Sequence, residues 1–300
     1  MAKLGAEHNV PLAPFSTLKV GGPARFLVTP SSVDQLKTLQ RACAEFEINT
    51  HIVSGGSNTL FSDQGFNGVV IKLASTFNFV EGMDSGSELT VGAATSFARV
   101  TKIATDRGWA HAVGWSGIPG LIGGAVAMNA GTRMGEIKDA VKAVYGVLGG
   151  NDVVFNREDI DFGYRHTSLP HNLIIWQVTL TYDKEYCQPV HNLQNKLFEY
   201  RRQRKATQPT INSLGSFFRN PYPNYAAQLI ENCNLKGLKY KGAQISPLHA
   251  NFIVNNGGAS ANDILHIASV AKRAVLDKFG IALIPEVRMV GTFHEPSILF

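Results

Sequence analysis

A strand that runs into five small residues and is followed almost at once by another strand limits the folds open to this chain more than any other feature. His51-Ile52-Val53 reads as a strand and leads into Ser54-Gly55-Gly56-Ser57-Asn58. Only nine residues, with no helical period, precede the next apolar run, Gly68 to Leu73. A small-residue loop after a strand can turn several N–H groups toward one point, and a diphosphate can approach it closely. Ser57 and Asn58 add side-chain donors. No G-x-G-x-x-G opens a helix and no Gly-Lys-Ser/Thr follows, so the Rossmann and P-loop folds are disfavoured. Taken alone, a tight turn between strands accounts for the same residues.

A second run, Gly114 to Gly131, holds six glycines and almost no charge. That is too much glycine for a good helix and too apolar for a solvated loop. A backbone pressed against a large planar ligand fits it better than a buried turn between helix and strand.

The surrounding pattern is α/β. Arg25 to Thr29 is a short strand ended by Pro30, and Ser32-Val33-Asp34-Gln35 has capping-box spacing ahead of an amphipathic helix through Phe46. A strand at Leu89–Val91, a helix from Ser96 to about Arg107, and strands at Val141–Val147 and Leu173–Tyr182 follow. A polar helical stretch, Gln188 to Gln208, leads into a last unit. That unit has a short helix (Tyr225–Cys233), a strand (Asn251–Val254) and a helix, Asp263–Phe279, with Ile264, Ile267, Ala268, Ala271 and Val275 on one face and Gly280 as its stop.

Composition narrows the class. With 44 % hydrophobic and 17 % charged residues the chain is globular, and no stretch has the order of a signal peptide or the length of a membrane span. A cytoplasmic protein without membrane insertion is expected. Three dispersed cysteines, Cys43, Cys187 and Cys233, give neither a disulfide frame nor a metal site, and buried thiols are expected at all three. The net charge of +5 suits anionic small ligands and a weak nucleic-acid surface alike. The basic run Arg201–Lys205 lacks the aromatic interleaving of a nucleic-acid platform, so no nucleic-acid partner is expected.

Seven motifs in order then resemble one family across nearly the whole chain. They are Leu18–Ala24, Ser54–Asn58, Gly117-Ile118-Pro119-Gly120 with Gly123-Gly124-Ala125 and Asn129-Ala130-Gly131, Tyr164-Arg165, Gly215–Pro221, His249–Phe252 and Pro285–Arg288. The family is the UDP-N-acetylenolpyruvoylglucosamine reductases (MurB).

The resemblance implies an FAD-binding domain of the vanillyl-alcohol oxidase type in two parts, residues 1–73 and 74–202, and a C-terminal α/β substrate domain, 203–284. Residues 285–300 would return as a strand to the first part. It further implies that NADPH reduces FAD and that the flavin reduces an enolpyruvyl ether of a UDP-sugar to a lactyl ether, for peptidoglycan synthesis. The first glycine loop has no histidine for covalent attachment, so FAD would be non-covalent. Cofactor contacts would come from Ser54 to Asn58 and from Gly117, Ile118, Pro119, Gly120, Gly123, Gly124 and Ala125. The resemblance gives Arg165, Ser216 and Glu286 the catalytic roles. Arg204 and Asn220 would hold the UDP part. The segment ending in Thr207-Gln208-Pro209 resembles the type II branch, so no substrate-binding tyrosine is carried over.

Overall fold

The computed structural model describes residues 4–82, 87–182, 187–210 and 212–293. Helices and strands alternate along it. A four-stranded sheet has the order Glu7–Pro11, Pro23–Val28, Phe66–Ile71, Thr50–Ile52, and Thr50–Ile52 runs parallel to Phe66–Ile71. By packing, the chain forms two compact units whose division cuts the first glycine loop after Gly55.

The first unit comprises Met1–Ala6, Leu27–Gly55 and Val69–Gln203. Its helix Val33–Glu45 starts where the capping residues predict, with Ser32 accepting the Gln35 N–H at 3.3 Å. Gln35 reaches one residue further back than a capping box requires, accepting from the Ser31 N–H at 2.7 Å. An antiparallel sheet of Asn151–Asn156, Val141–Leu148, Ile174–Thr181, Glu88–Gly92 and Val80–Glu81, in that order, backs the core. Phe97, from the helix Phe97–Asp106, stacks on Trp115 at 5.6 Å between centroids, and both are fully buried.

The second unit comprises Glu7–Phe26, Gly56–Gly68 and Arg204–Phe300. Ser213–Ser216, Phe252–Asn255, Ala243–Ile245 and Lys239–Tyr240 form an antiparallel sheet, in that order. The helices Ala226–Asn232 and Ala261–Phe279 share its hydrophobic core. The stripe Ile264, Ile267, Ala268, Ala271 and Val275 is buried, and Gly280 ends the helix at φ 69°. Arg288–Val290 pairs in parallel with Thr59–Phe61. The rest of the expected C-terminal strand, 294–300, lies outside the described residues.

Three features differ from the sequence reading. The run Gly114–Gly131 contains a short helix, Ile122–Ala127, despite Gly123 and Gly124. Packing overrides propensity there, because a Cβ on Gly123 would lie 3.0 Å from the Ala93 Cβ. Thr59–Phe61, inside the interval read as a loop, is a buried strand whose partner lies far along the chain. Of the three thiols only Cys43 is buried; Cys187 is exposed and Cys233 is half-buried.

The helix Ala261–Phe279 has two N-terminal caps. Ser260 and Asp263 form a capping box, and Asp63 accepts from the N–H groups of Ala261 at 2.7 Å and Asn262 at 3.0 Å. A carboxylate on the first turn satisfies donors the helix cannot use and sits at the positive end of its dipole. Asp63→Ala is expected to cost about 1–2 kcal/mol of stability, read as a lower urea midpoint with an unchanged slope.

Candidate active site

The glycine loops meet backbone to backbone. A Cβ added at Gly55 would lie 2.6 Å from the Gly120 Cα, and one at Gly124 would lie 2.9 Å from the Ser54 Oγ. Neither Gly55 nor Gly124 has a positive φ, so crowding alone selects glycine there. Gly117 and Gly120, at φ 73° and 115°, make the tight return of the second loop, and Ile118 to Gly120 reach its surface. Ala125 is buried in the core beneath. The Ser54 Oγ is buried without a hydrogen-bond partner. A buried orphan hydroxyl costs free energy unless something bonds it. Two glycine loops with no room for side chains and an orphan hydroxyl between them form a cradle that fits the diphosphate of a large cofactor.

In the second unit, Gly56 lies against Phe15, whose carbonyl a Cβ would meet at 1.7 Å. Ser57 and Asn58 follow, both half-buried. Asn58 does work that sequence reasoning missed. Its Nδ2 donates to the Glu286 carbonyl at 3.2 Å, and its own carbonyl accepts the Arg288 N–H at 2.9 Å. The glycine loop therefore holds the segment that carries Glu286.

Ser216 sits on a bulged strand. Ser213 pairs with Val254 and Ser216 with Phe252, so three steps on one strand face two on the other, and Gly215 takes φ 77°. A bulge of this kind re-aims the side chain after it, and a glycine tolerates the left-handed turn. The Gly-Ser pair that alone reads as a turn lies at this bulge in a strand. The Glu286 N–H donates to the Phe217 carbonyl at 2.8 Å, which brings the Ser216 and Glu286 segments side by side.

Arg165 belongs to the first unit, in the two-residue turn joining Phe162–Gly163 to His166–Thr167. It has φ 56°. Its guanidinium lies 5.1 Å from the Tyr164 ring centroid and donates to the Gly131 carbonyl at 3.1 Å. Buried Asn129 anchors the same hairpin by donating to the Gly163 carbonyl at 2.9 Å and to Glu136 at 3.0 Å. That explains the Asn129-Ala130-Gly131 motif physically.

The two residues expected to hold the UDP part have structural surroundings too. Arg204 is half-buried on the helix Val190–Thr207. Asn220 accepts the Ala226 N–H at 3.0 Å at the start of the helix Ala226–Asn232. In the basic run, Arg201 donates to Ser116 at 2.9 Å and Arg202 pairs with Glu199, which describes a helix face.

The geometry agrees with what relatives of the chain are. Residues 24–154 match an FAD binding domain, and residues 207–290 match the C-terminal domain of UDP-N-acetylenolpyruvoylglucosamine reductase. A relative of that name from Anaeromyxobacter sp. (strain Fw109-5) is 39 % identical, over 97 % of this chain and 90 % of its own. The chain belongs to the UDP-N-acetylenolpyruvoylglucosamine reductase family. A Bacillus subtilis member is 37 % identical over 94 % of this chain and 93 % of its own. The crystal structure of the Thermus caldophilus reductase superposes with a TM-score of 0.82 at 35 % identity, covering 95 % of this chain and 99 % of that one. The reductases are FAD enzymes with NADPH as reductant, and the glycine cradle of this chain fits that cofactor.

His249 is held below the ordinary imidazole value, first by burial and then by Lys236, with Arg204 adding and its backbone bond and Glu231 opposing. Its Nδ1 accepts the Asn251 N–H at 3.3 Å, so the neutral ring is the form the fold uses. A folded value below the unfolded one means the contribution is complete above about pH 6.5 and declines as pH falls toward the folded value. The thermal midpoint is expected to drop between pH 7 and pH 5, and less so in His249→Gln. For the cradle, Gly55→Ala is expected to weaken FAD binding on the order of tenfold, because a methyl group cannot fit where backbones touch; titration of flavin fluorescence measures it.

Proposed function

We propose that this chain reduces the enolpyruvyl ether of UDP-N-acetylglucosamine to UDP-N-acetylmuramate for peptidoglycan synthesis, with Arg165, Ser216 and Glu286 at the reacting group. FAD, which residues 54–58 with Gly117, Ile118, Pro119, Gly120, Gly123, Gly124 and Ala125 would hold non-covalently, would supply the relay of hydride from NADPH to the double bond. We assign flavin binding to residues 1–202 with the returning strand, and substrate binding to 203–284. Both substrates are soluble nucleotides, and no helix among the described residues is long and apolar enough to cross a membrane. On that basis we assign the reaction to the cytoplasm.

Hydride addition pushes negative charge onto the neighbouring carbon and its carboxylate, and that charge must be stabilised as it forms. Arg165 answers this need. Held by the Gly131 carbonyl and the Tyr164 ring, it presents a planar fork whose geometry matches a carboxylate. Glu286 supports the enolic form of the substrate, and the Ser216 hydroxyl protonates the carbon that bears the carboxylate. A hydroxyl is a weak acid in water, but a carbanion-like carbon is basic enough to take its proton. Arg204 and Asn220 recognise the UDP part.

The observation that carries this reading is the 2.8 Å bond from the Glu286 N–H to the Phe217 carbonyl, which joins the acid's segment to the bulged strand of the proton donor. An anaerobic two-step assay tests it. Addition of NADPH should bleach the flavin, and addition of the UDP-enolpyruvyl sugar should restore its absorbance. Ser216→Ala should leave bleaching within about twofold and slow recovery on the order of a hundredfold or more. Equal slowing of both steps would remove Ser216 from the chemistry. Bleaching without recovery by the sugar, in the unmodified protein, would point to a different oxidoreductase.

A further inference from the structure

The strand after Ser216 is not held by an ordinary ladder. Phe217 donates its N–H to the Asn251 carbonyl at 2.7 Å. At Phe218 the partner strand is replaced by a side chain: the Asn251 Oδ1 accepts the Phe218 N–H at 2.9 Å, and its Nδ2 donates to the Phe218 carbonyl at 2.8 Å. One amide thus satisfies both polar groups of one residue. On the opposite edge the same stretch bonds the Glu286 segment, through Phe217 to the Glu286 N–H at 2.8 Å and through the Arg219 N–H to the Ile284 carbonyl at 2.9 Å. Asn251 is 2 % exposed, so water cannot replace it.

A strand freed by a bulge needs a new reference for its register, because the left-handed Gly215 breaks the ladder two residues before Phe217. We propose that Asn251 is a positioning residue for the half of the reaction in which the sugar is reduced: its amide fixes the register of Ser216 against Glu286. The inference rests on the roles given above to Ser216 and Glu286. An asparagine amide offers a donor and an acceptor in one plane without a charge at neutral pH, which an ionised carboxylate of the same size does not. Asn251→Leu keeps the number and branching of the side-chain atoms and removes both bonds, and Asn251→Asp keeps the acceptor and loses the donor. The buried carboxyl of that second variant titrates above the usual range, and its protonated form regains the donor.

The test uses full-length protein loaded with FAD, in anaerobic stopped flow. Asn251→Leu is expected to slow flavin reoxidation by the UDP-enolpyruvyl sugar on the order of 10- to 100-fold, with reduction by NADPH within about twofold and sugar affinity within about threefold. The double variant with Ser216→Ala should be no slower than Ser216→Ala alone, since both act through one hydroxyl. Asn251→Asp should recover reoxidation as pH falls, measured relative to the unmodified protein at each pH. Equal slowing of both half-reactions, additive loss in the double variant, or failure of both Asn251 variants to fold and hold FAD would overturn the proposal. Normal reoxidation in Ser216→Ala would refute the serine's role and the proposal with it. An additive double variant beside a slow Ser216→Ala would refute the role of Asn251 alone.

Discussion

The backbones of Gly55 and Gly120 approach so closely that the first loop has no room for a Cβ where it meets the second. Side chains excluded from the crossing leave backbone as the lining, together with the orphan Ser54 Oγ. The helix Ile122–Ala127 is short and carries two glycines at a propensity cost of about 1 kcal/mol each. It persists because the same glycines let it close on Ala93 and Ser54, and a buried close contact outweighs propensity in a helix of this length. The apolar character of the whole run follows from its position over a core that holds Phe97, Trp115 and Ala125.

The second unit answers a different requirement. It joins two short segments, one with Ser216 and one with Glu286, and neither is long enough to define its own geometry. Backbone bonds from Phe217 and Arg219 join them, Asn58 fastens the Glu286 side, and Asn251 fastens the Ser216 side. Each fastening residue is an asparagine that uses its side-chain amide to bond backbone of the segment it holds. A buried amide such as that of Asn251 is costly unless bonded and specific when bonded, which suits it to fixing register.

How much of this was legible depends on the range of the interaction that decides it. The helix Ala261–Phe279 was readable from its apolar stripe, its Ser260 cap and Gly280, all of them local signals. The strand Thr59–Phe61 was not, because three residues carry no period and the partner is Arg288–Val290. Cys187 shows the same limit: a thiol's burial depends on what packs over it, and nothing in its neighbours reported exposure. At the site, an ordinary turn explains Ser54–Asn58 taken alone and the run Gly114–Gly131 already favours a planar ligand, but the contact of the two loops at Gly55 and Gly120 exists only in the fold. Asn58 was read as a cofactor donor, and its bond to the Glu286 carbonyl lay beyond reach.

By itself the sequence determined the α/β class, the exclusion of the common nucleotide-binding loops, and the ordered motifs that resemble one reductase family. Those follow from periodicity, glycine spacing and residue order, which are properties of the chain alone. Only the tertiary structure decided that Gly55 must be glycine for lack of space, that Gly215 sits at a bulge beside Ser216, and that the Asn251 amide bonds both polar groups of Phe218. Each of these depends on atoms brought together from distant positions, and the contact does not exist until the chain has folded.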